Sequence, residues 1–112
     1  MFVMQSPLDR KFSALADPTR RAIIARLALG EASVAELQRP SGISQPAISR
    51  HLKVLEAAGL IEGGRAAQSR PRRLKVEALA ETSDWIDHLR TLWRDSFERL
   101  DALLAEPEKD PK

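Results

Sequence analysis

Residues 42–59, G-I-S-Q-P-A-I-S-R-H-L-K-V-L-E-A-A-G, constrain this chain more than any other stretch, because one helical register sorts them into two chemically opposed faces. At about 100° per residue, Ile48, Leu52 and Leu55 fall together, while Pro46, Ser49, Arg50 and Lys53 fall on the far side. One face belongs in a core; the other is cationic and open to a polyanion. Ser44 is an N-cap, Pro46 sits in the first turn where its missing donor costs little, and Gly59 supplies a left-handed stop. Upstream, Ser33-Val34-Ala35-Glu36 is a capping-box pattern that opens a short helix with Val34, Leu37 and Ala35 inward. That helix must end near Pro40, and Ser41-Gly42-Ile43 turns the chain into the next. Short helix, glycine-containing turn and amphipathic second helix read as a helix-turn-helix.

Two further motifs flank it. Ala14-Leu15-Ala16-Asp17-Pro18-Thr19-Arg20-Arg21 precedes the helix pair, and Ala58-Gly59-Leu60-Ile61 follows Ser44-Gln45-Pro46-Ala47-Ile48-Ser49-Arg50-His51-Leu52-Lys53-Val54-Leu55. Together these resemble the ArsR/SmtB family of bacterial winged-helix transcription factors, over roughly residues 8 to 105. The resemblance implies a homodimeric repressor that binds a double-stranded DNA operator near a promoter and leaves it on a signal.

Charge is distributed in a way that agrees. Residues 1–43 carry 6 basic against 4 acidic side chains, residues 44–76 carry 7 against 2, and residues 77–112 carry 5 against 10. Positive charge therefore gathers at the amphipathic helix and in the stretch after it, which is the electrostatic footprint of nucleic-acid binding.

The remaining elements follow from periodicity. Ser6-Pro7 starts a first helix with Leu8, Phe12 and Leu15 on one face, and Asp17-Pro18 caps a second with Ile23, Ile24 and Leu27 inward. Leu60-Ile61-Glu62 reads as a short strand and Gly63-Gly64 opens a turn. Leu74 and Val76 then alternate with Arg73 and Lys75 on a returning strand, which Pro71 marks as an edge. This hairpin is the wing. A final helix runs from Val76 to about Ala105, about 45 Å long, with Trp85, Ile86, Leu89, Leu92, Trp93, Phe97, Leu100, Leu103 and Leu104 at three- and four-residue steps. The stripe is longer than a small winged domain can cover, so part of it should pack on a partner chain; the competing reading is a pocket for an apolar effector. The expected fold is mainly α with a small β-hairpin wing, a winged helix-turn-helix dimerising through its terminal helices. Residues 1–6 form a flexible N-terminus, 7–105 the domain and 106–112 a disordered tail.

The expected DNA-contacting residues are Ser44, Gln45, Pro46, Ser49, Arg50 and Lys53 on the helix, with Arg65, Arg70, Arg72 and Arg73 gripping phosphates from the wing. Leu8 and Phe12 join Trp85, Leu89, Leu92, Trp93, Phe97 and Leu100 as the expected dimer interface. His51, at the margin of the core face, reads as a structural histidine.

Metal sensing, prominent in the family, is not supported by the residues. Arsenic- and cadmium-type thiolate sites need closely spaced cysteines, and the chain has none. The zinc-type pattern on the last helix, Asp-x-His and then His-x-x-Glu, fails because Ile86 precedes His88 and Arg99 stands near where the second histidine belongs. Asp84, Asp87, His88, Asp95 and Glu98 are a solvated acidic face, and no cofactor or metal is expected.

Catalysis is not expected either, since the chain has only two histidines and no tyrosine, cysteine, glycine-rich phosphate loop or H-E-x-x-H pair. No apolar run approaches the roughly 20 residues that span a bilayer. Met1-Phe2-Val3-Met4 is too short for a secretory signal and lacks its basic start, so a cytoplasmic location is expected. A winged-helix protein-interaction module that reads no sequence is the alternative function, and a small-molecule effector has no residue signature here.

Overall fold

The computed structural model describes residues 6–63 and 71–105 of the 112-residue chain. Arg65, Arg70, the 106–112 tail and residues 1–5 lie outside the described residues. The chain divides into two compact units, Met1–Thr82 and Ser83–Lys112.

Each of the first four helices begins at a side-chain cap that satisfies backbone donors otherwise left open. Helix α1, Pro7–Leu15, starts at Ser6, whose Oγ accepts from Asp9 N at 3.0 Å while the Asp9 carboxylate accepts from Ser6 N at 3.3 Å. Ser6 is thus the cap of α1. Helix α2, Pro18–Leu27, starts at Asp17, which accepts from Arg20 N at 3.0 Å. Helix α3, Val34–Gln38, opens on the Ser33–Glu36 capping box. Helix α4, Gln45–Ala57, starts at Ser44 and is closed by Gly59, whose φ of 78° suits a residue without a Cβ.

Ile23, Ile24 and Leu27 of α2, Val34 and Leu37 of α3, and Ile48, Leu52 and Leu55 of α4 form one buried cluster, together with Ala14, Leu60, Ile61 and Leu74. Side chains expected to point inward on α3 are therefore buried, with one correction: Ala35 is exposed, because the short helix turns only Val34 and Leu37 toward α4. On α1 the buried positions are Lys11 and Ala14, whereas Leu8, Phe12 and Leu15 are only half-buried. Lys11 is tolerated inside because its ammonium lies 3.1 Å from Glu81 Oε1.

Strands β1, Ile61–Glu62, and β2, Arg73–Leu74, pair antiparallel with Ile61 opposite Leu74 and Glu62 opposite Arg73. Two sequence expectations change here. The returning segment is not an edge at Arg72, since Arg72 N donates to Ala32 O at 2.8 Å and Ala32 N donates to Arg72 O at 3.2 Å. The linker between α2 and α3 thus supplies a third short rung. Val76 does not continue the strand; it is the exposed first residue of α5, Val76–Ala105.

The second unit is the α5 helix from Ser83 onward. Its apolar residues share a stripe along one side and remain exposed, from Trp85 at 44% to Leu104 at 75%. Within that stripe the Trp93 and Phe97 rings stack at 5.6 Å, one helical turn apart. No described helix is long and apolar enough to cross a membrane.

Candidate nucleic-acid interface

Helix α4 is presented by a turn that side chains hold closed. Gln38 Nε2 donates to Ile43 O at 2.9 Å, and Ser41 Oγ donates to Gln38 O at 2.9 Å while accepting from Ile43 N at 3.0 Å. Backbone groups left open between α3 and α4 are thereby satisfied, which stiffens the angle between the two helices. With Ile48 and Leu55 wholly buried and Leu52 nearly so, the rotation of α4 about its axis is set by the core.

The opposite face is consequently outward. Gln45, Pro46, Arg50 and Lys53 are exposed, and Ser49 is half-buried beside them. Ser44, also exposed, has its hydroxyl committed to Ala47 N at 3.3 Å. Among the described residues neither Arg50 nor Lys53 has an ion-pair partner, so both charges are open to an external anion. The N-terminus of α4 adds its own partial positive charge on the same side.

The basic residues after β1 divide differently from the sequence expectation. Arg72 is buried, with its Nε 3.1 Å from Glu56 Oε2 on α4, so its guanidinium serves the protein interior instead of projecting from a wing. Arg73 is exposed, but it pairs with Glu62 directly across the hairpin. The sequence hides both pairings because the acidic partners lie on other elements.

Arg20 was part of a recognisable motif without an assigned task, and the fold gives it one. Its Nε donates to Ala14 O at 2.7 Å, its Nη2 to Ser13 O at 3.4 Å, and its Nη1 lies 3.3 Å from His51 Nδ1. No helical dial could find a contact between residues 31 apart in sequence. The half-buried His51 is thus hydrogen-bonded, in keeping with a structural role. Its Nδ1 lies 3.9 Å from Asp17 Oδ2, beyond hydrogen-bond range. The Asp17 carboxyl is held below its ordinary range, chiefly by the Arg20 backbone N–H and further by the Arg20 charge. Glu36 is likewise lowered, first by the Ser33 backbone N–H.

Among the expected dimer residues, Trp85, Leu89, Leu92, Trp93, Phe97 and Leu100 share the exposed stripe of α5, while Leu8 and Phe12 sit half-buried on α1. Among the described residues no group of three or more His, Cys, Asp or Glu side chains converges as metal ligands would.

Known proteins match this arrangement. A family model described as a helix-turn-helix domain matches residues 15–64. The chain is 44% identical over 91 residues to the HTH-type transcriptional regulator Rv2034 of Mycobacterium tuberculosis, covering 81% of this chain and 84% of that protein. It is 32% identical over 79 residues to the transcriptional repressor SdpR of Bacillus subtilis, covering 70% and 88% respectively. The crystal structure of an ArsR family transcriptional regulator superposes with a TM-score of 0.73 at 34% identity, over 80% of this chain and 98% of the other. With a helix-turn-helix, a hairpin behind it and relatives of this identity over most of their length, the chain belongs to the ArsR/SmtB family of winged helix-turn-helix transcriptional regulators.

Proposed function

We propose that this protein is a DNA-binding transcriptional repressor that recognises a palindromic operator as a homodimer. The observation that carries the proposal is α4 itself. Its buried face of Ile48, Leu52 and Leu55 fixes its rotation, and Arg50 and Lys53, without an ion-pair partner among the described residues, stand on the other face behind a positive helix terminus. An α-helix so presented fits the major groove, where Gln45, Ser49 and Arg50 can reach base edges and Lys53 a phosphate. The names of the matched relatives, a transcriptional regulator and a transcriptional repressor, support the same role.

Dimerisation rests on the open apolar stripe of α5. Fully burying a large apolar side chain is worth about 1.5–3 kcal/mol, and these partly exposed ones gain a share of it, so several per protomer together sustain a pair. Two-fold symmetry then spaces the reading helices about 34–36 Å apart, one turn of duplex.

Selection of bound fragments from a genomic DNA library with the purified protein tests this reading. Recovery of a shared inverted repeat is the expected result. Salt-insensitive or sequence-blind capture would favour the interaction-module reading instead.

A further inference from the structure

We propose that Arg20 is a positioning residue for the reading helix: it fixes His51 as the Nε2–H tautomer and, through that bond, ties α4 to the corner between α1 and α2. The proposal rests on α4 being the reading helix.

The geometry leaves one arrangement of protons. A guanidinium carries five donors and no acceptor. The three nitrogens of Arg20 meet Ala14 O at 2.7 Å, Ser13 O at 3.4 Å and His51 Nδ1 at 3.3 Å. Two of these acceptors are carbonyls in the last turn of α1, where a helix runs short of intrahelical donors; Ser13 O also accepts from Ala16 N at 3.1 Å. The third is a ring nitrogen on α4. Because Arg20 can only donate, His51 Nδ1 must present its lone pair, and the ring proton resides on Nε2. The planar fork thereby couples the last turn of α1 to the middle of α4, and Arg20 is itself seated because its backbone N–H donates to Asp17.

Asp17 makes the assignment sharp. Its Oδ2 lies 3.9 Å from His51 Nδ1, and a carboxylate only accepts. With Arg20 present, Nδ1 answers a donor; with Arg20 gone, the nearest charged group is an acceptor, and the favoured tautomer becomes Nδ1–H. One side chain thus decides both the proton's position and whether α4 is tied to the corner through a donor that stays charged at every accessible pH.

The test uses the full chain and two readouts. Long-range nitrogen–proton correlation spectra, with the imidazole neutral, report the tautomer of His51, and His88 provides an exposed reference in the same sample. The native protein should show His51 with the proton on Nε2 alone, and Arg20→Met should move it toward Nδ1. Affinity for the duplexes recovered from the genomic selection supplies the second readout. His51→Gln offers Arg20 an amide oxygen and should bind within about twofold of native, whereas His51→Leu fills similar space without an acceptor and should lose roughly three- to tenfold. Cooperative thermal unfolding of both variants separates this loss from misfolding. An Nδ1–H tautomer in the native protein overturns the proposal, as does equal loss in His51→Gln and His51→Leu. If the native protein recovers no duplex, the proposed function falls and takes the positioning role with it, while the spectra still decide the Arg20 contact.

Discussion

Arg72 and Glu56 form an ion pair, Nε to Oε2 at 3.1 Å, that joins the returning arm of the hairpin to the reading helix. Arg72 is also the residue that exchanges two backbone hydrogen bonds with Ala32. Removing the guanidinium leaves a two-thirds-buried carboxylate without it. Arg72→Met should therefore destabilise the fold by about 1–3 kcal/mol, with Glu56→Gln costing less. Denaturant titration measures the loss. The salt slope of DNA binding should not change, since Arg72 faces the protein interior.

Arg50 and Lys53 are both open on α4 but face different chemistry. Arg50→Ala should cost about 1–3 kcal/mol on the selected operator and flatten discrimination among its variants. Lys53→Ala should weaken matched and scrambled duplexes alike and lower the salt slope by about one unit. A salt series on both duplexes checks the pair of assignments, and interchanged outcomes would reverse them.

Asp17 and Glu36 give the fold an acid-sensitive component. Both carboxyls lie below their ordinary range in the folded chain because backbone N–H groups of Arg20 and Ser33 donate to them. A lowered folded pKa means that the stabilisation is fully present above the unfolded value, roughly 4, and is lost as pH falls through the folded one. Unfolding followed from pH 6 downward, about that range, should show stability declining below the ordinary carboxylate value. Asp17→Asn, which keeps a capping oxygen but no charge, should be less stable than native at neutral pH and show a shallower acid decline.

Gly63 approaches the other arm of the hairpin closely. Its φ is 105°, and an added Cβ would meet Pro71 O at 2.6 Å. At Gly59, with φ 78°, the nearest atom is Lys11 Nζ at 4.0 Å. Gly59→Ala should cost only backbone strain, about 1 kcal/mol, whereas Gly63→Ala should cost about 2–3 kcal/mol because the carbonyl must also move. Comparing the two melting curves tests the difference; equal losses would mean that the hairpin relaxes freely.

Trp93 and Phe97 stack on each other in the open stripe of α5. Replacing both by glutamate should convert the proposed dimer to a monomer at concentrations where the native chain sediments as a dimer, since charges cannot be buried unpaired. Operator affinity should fall with it. A double variant that stays dimeric would move the interface elsewhere.

Local chemistry made much of this protein legible in its residues. The caps Ser6, Asp17, Ser33 and Ser44 each bond a backbone N–H three residues on, and the inward set Ile48, Leu52 and Leu55 repeats within one helical register. Interactions of that reach are decided before the chain folds back on itself, so helices, their starts and the outward face of α4 could be read directly. Tertiary structure alone decided the rest. It set Arg72 against Glu56 and Arg73 against Glu62, turned a supposed edge into a rung beside Ala32, and placed Lys11 inside on Glu81. It also joined Arg20 to His51 across 31 residues. A charge in a sequence carries its sign but not its partner, because the partner depends on which elements pack together, and that choice is made by the shared core.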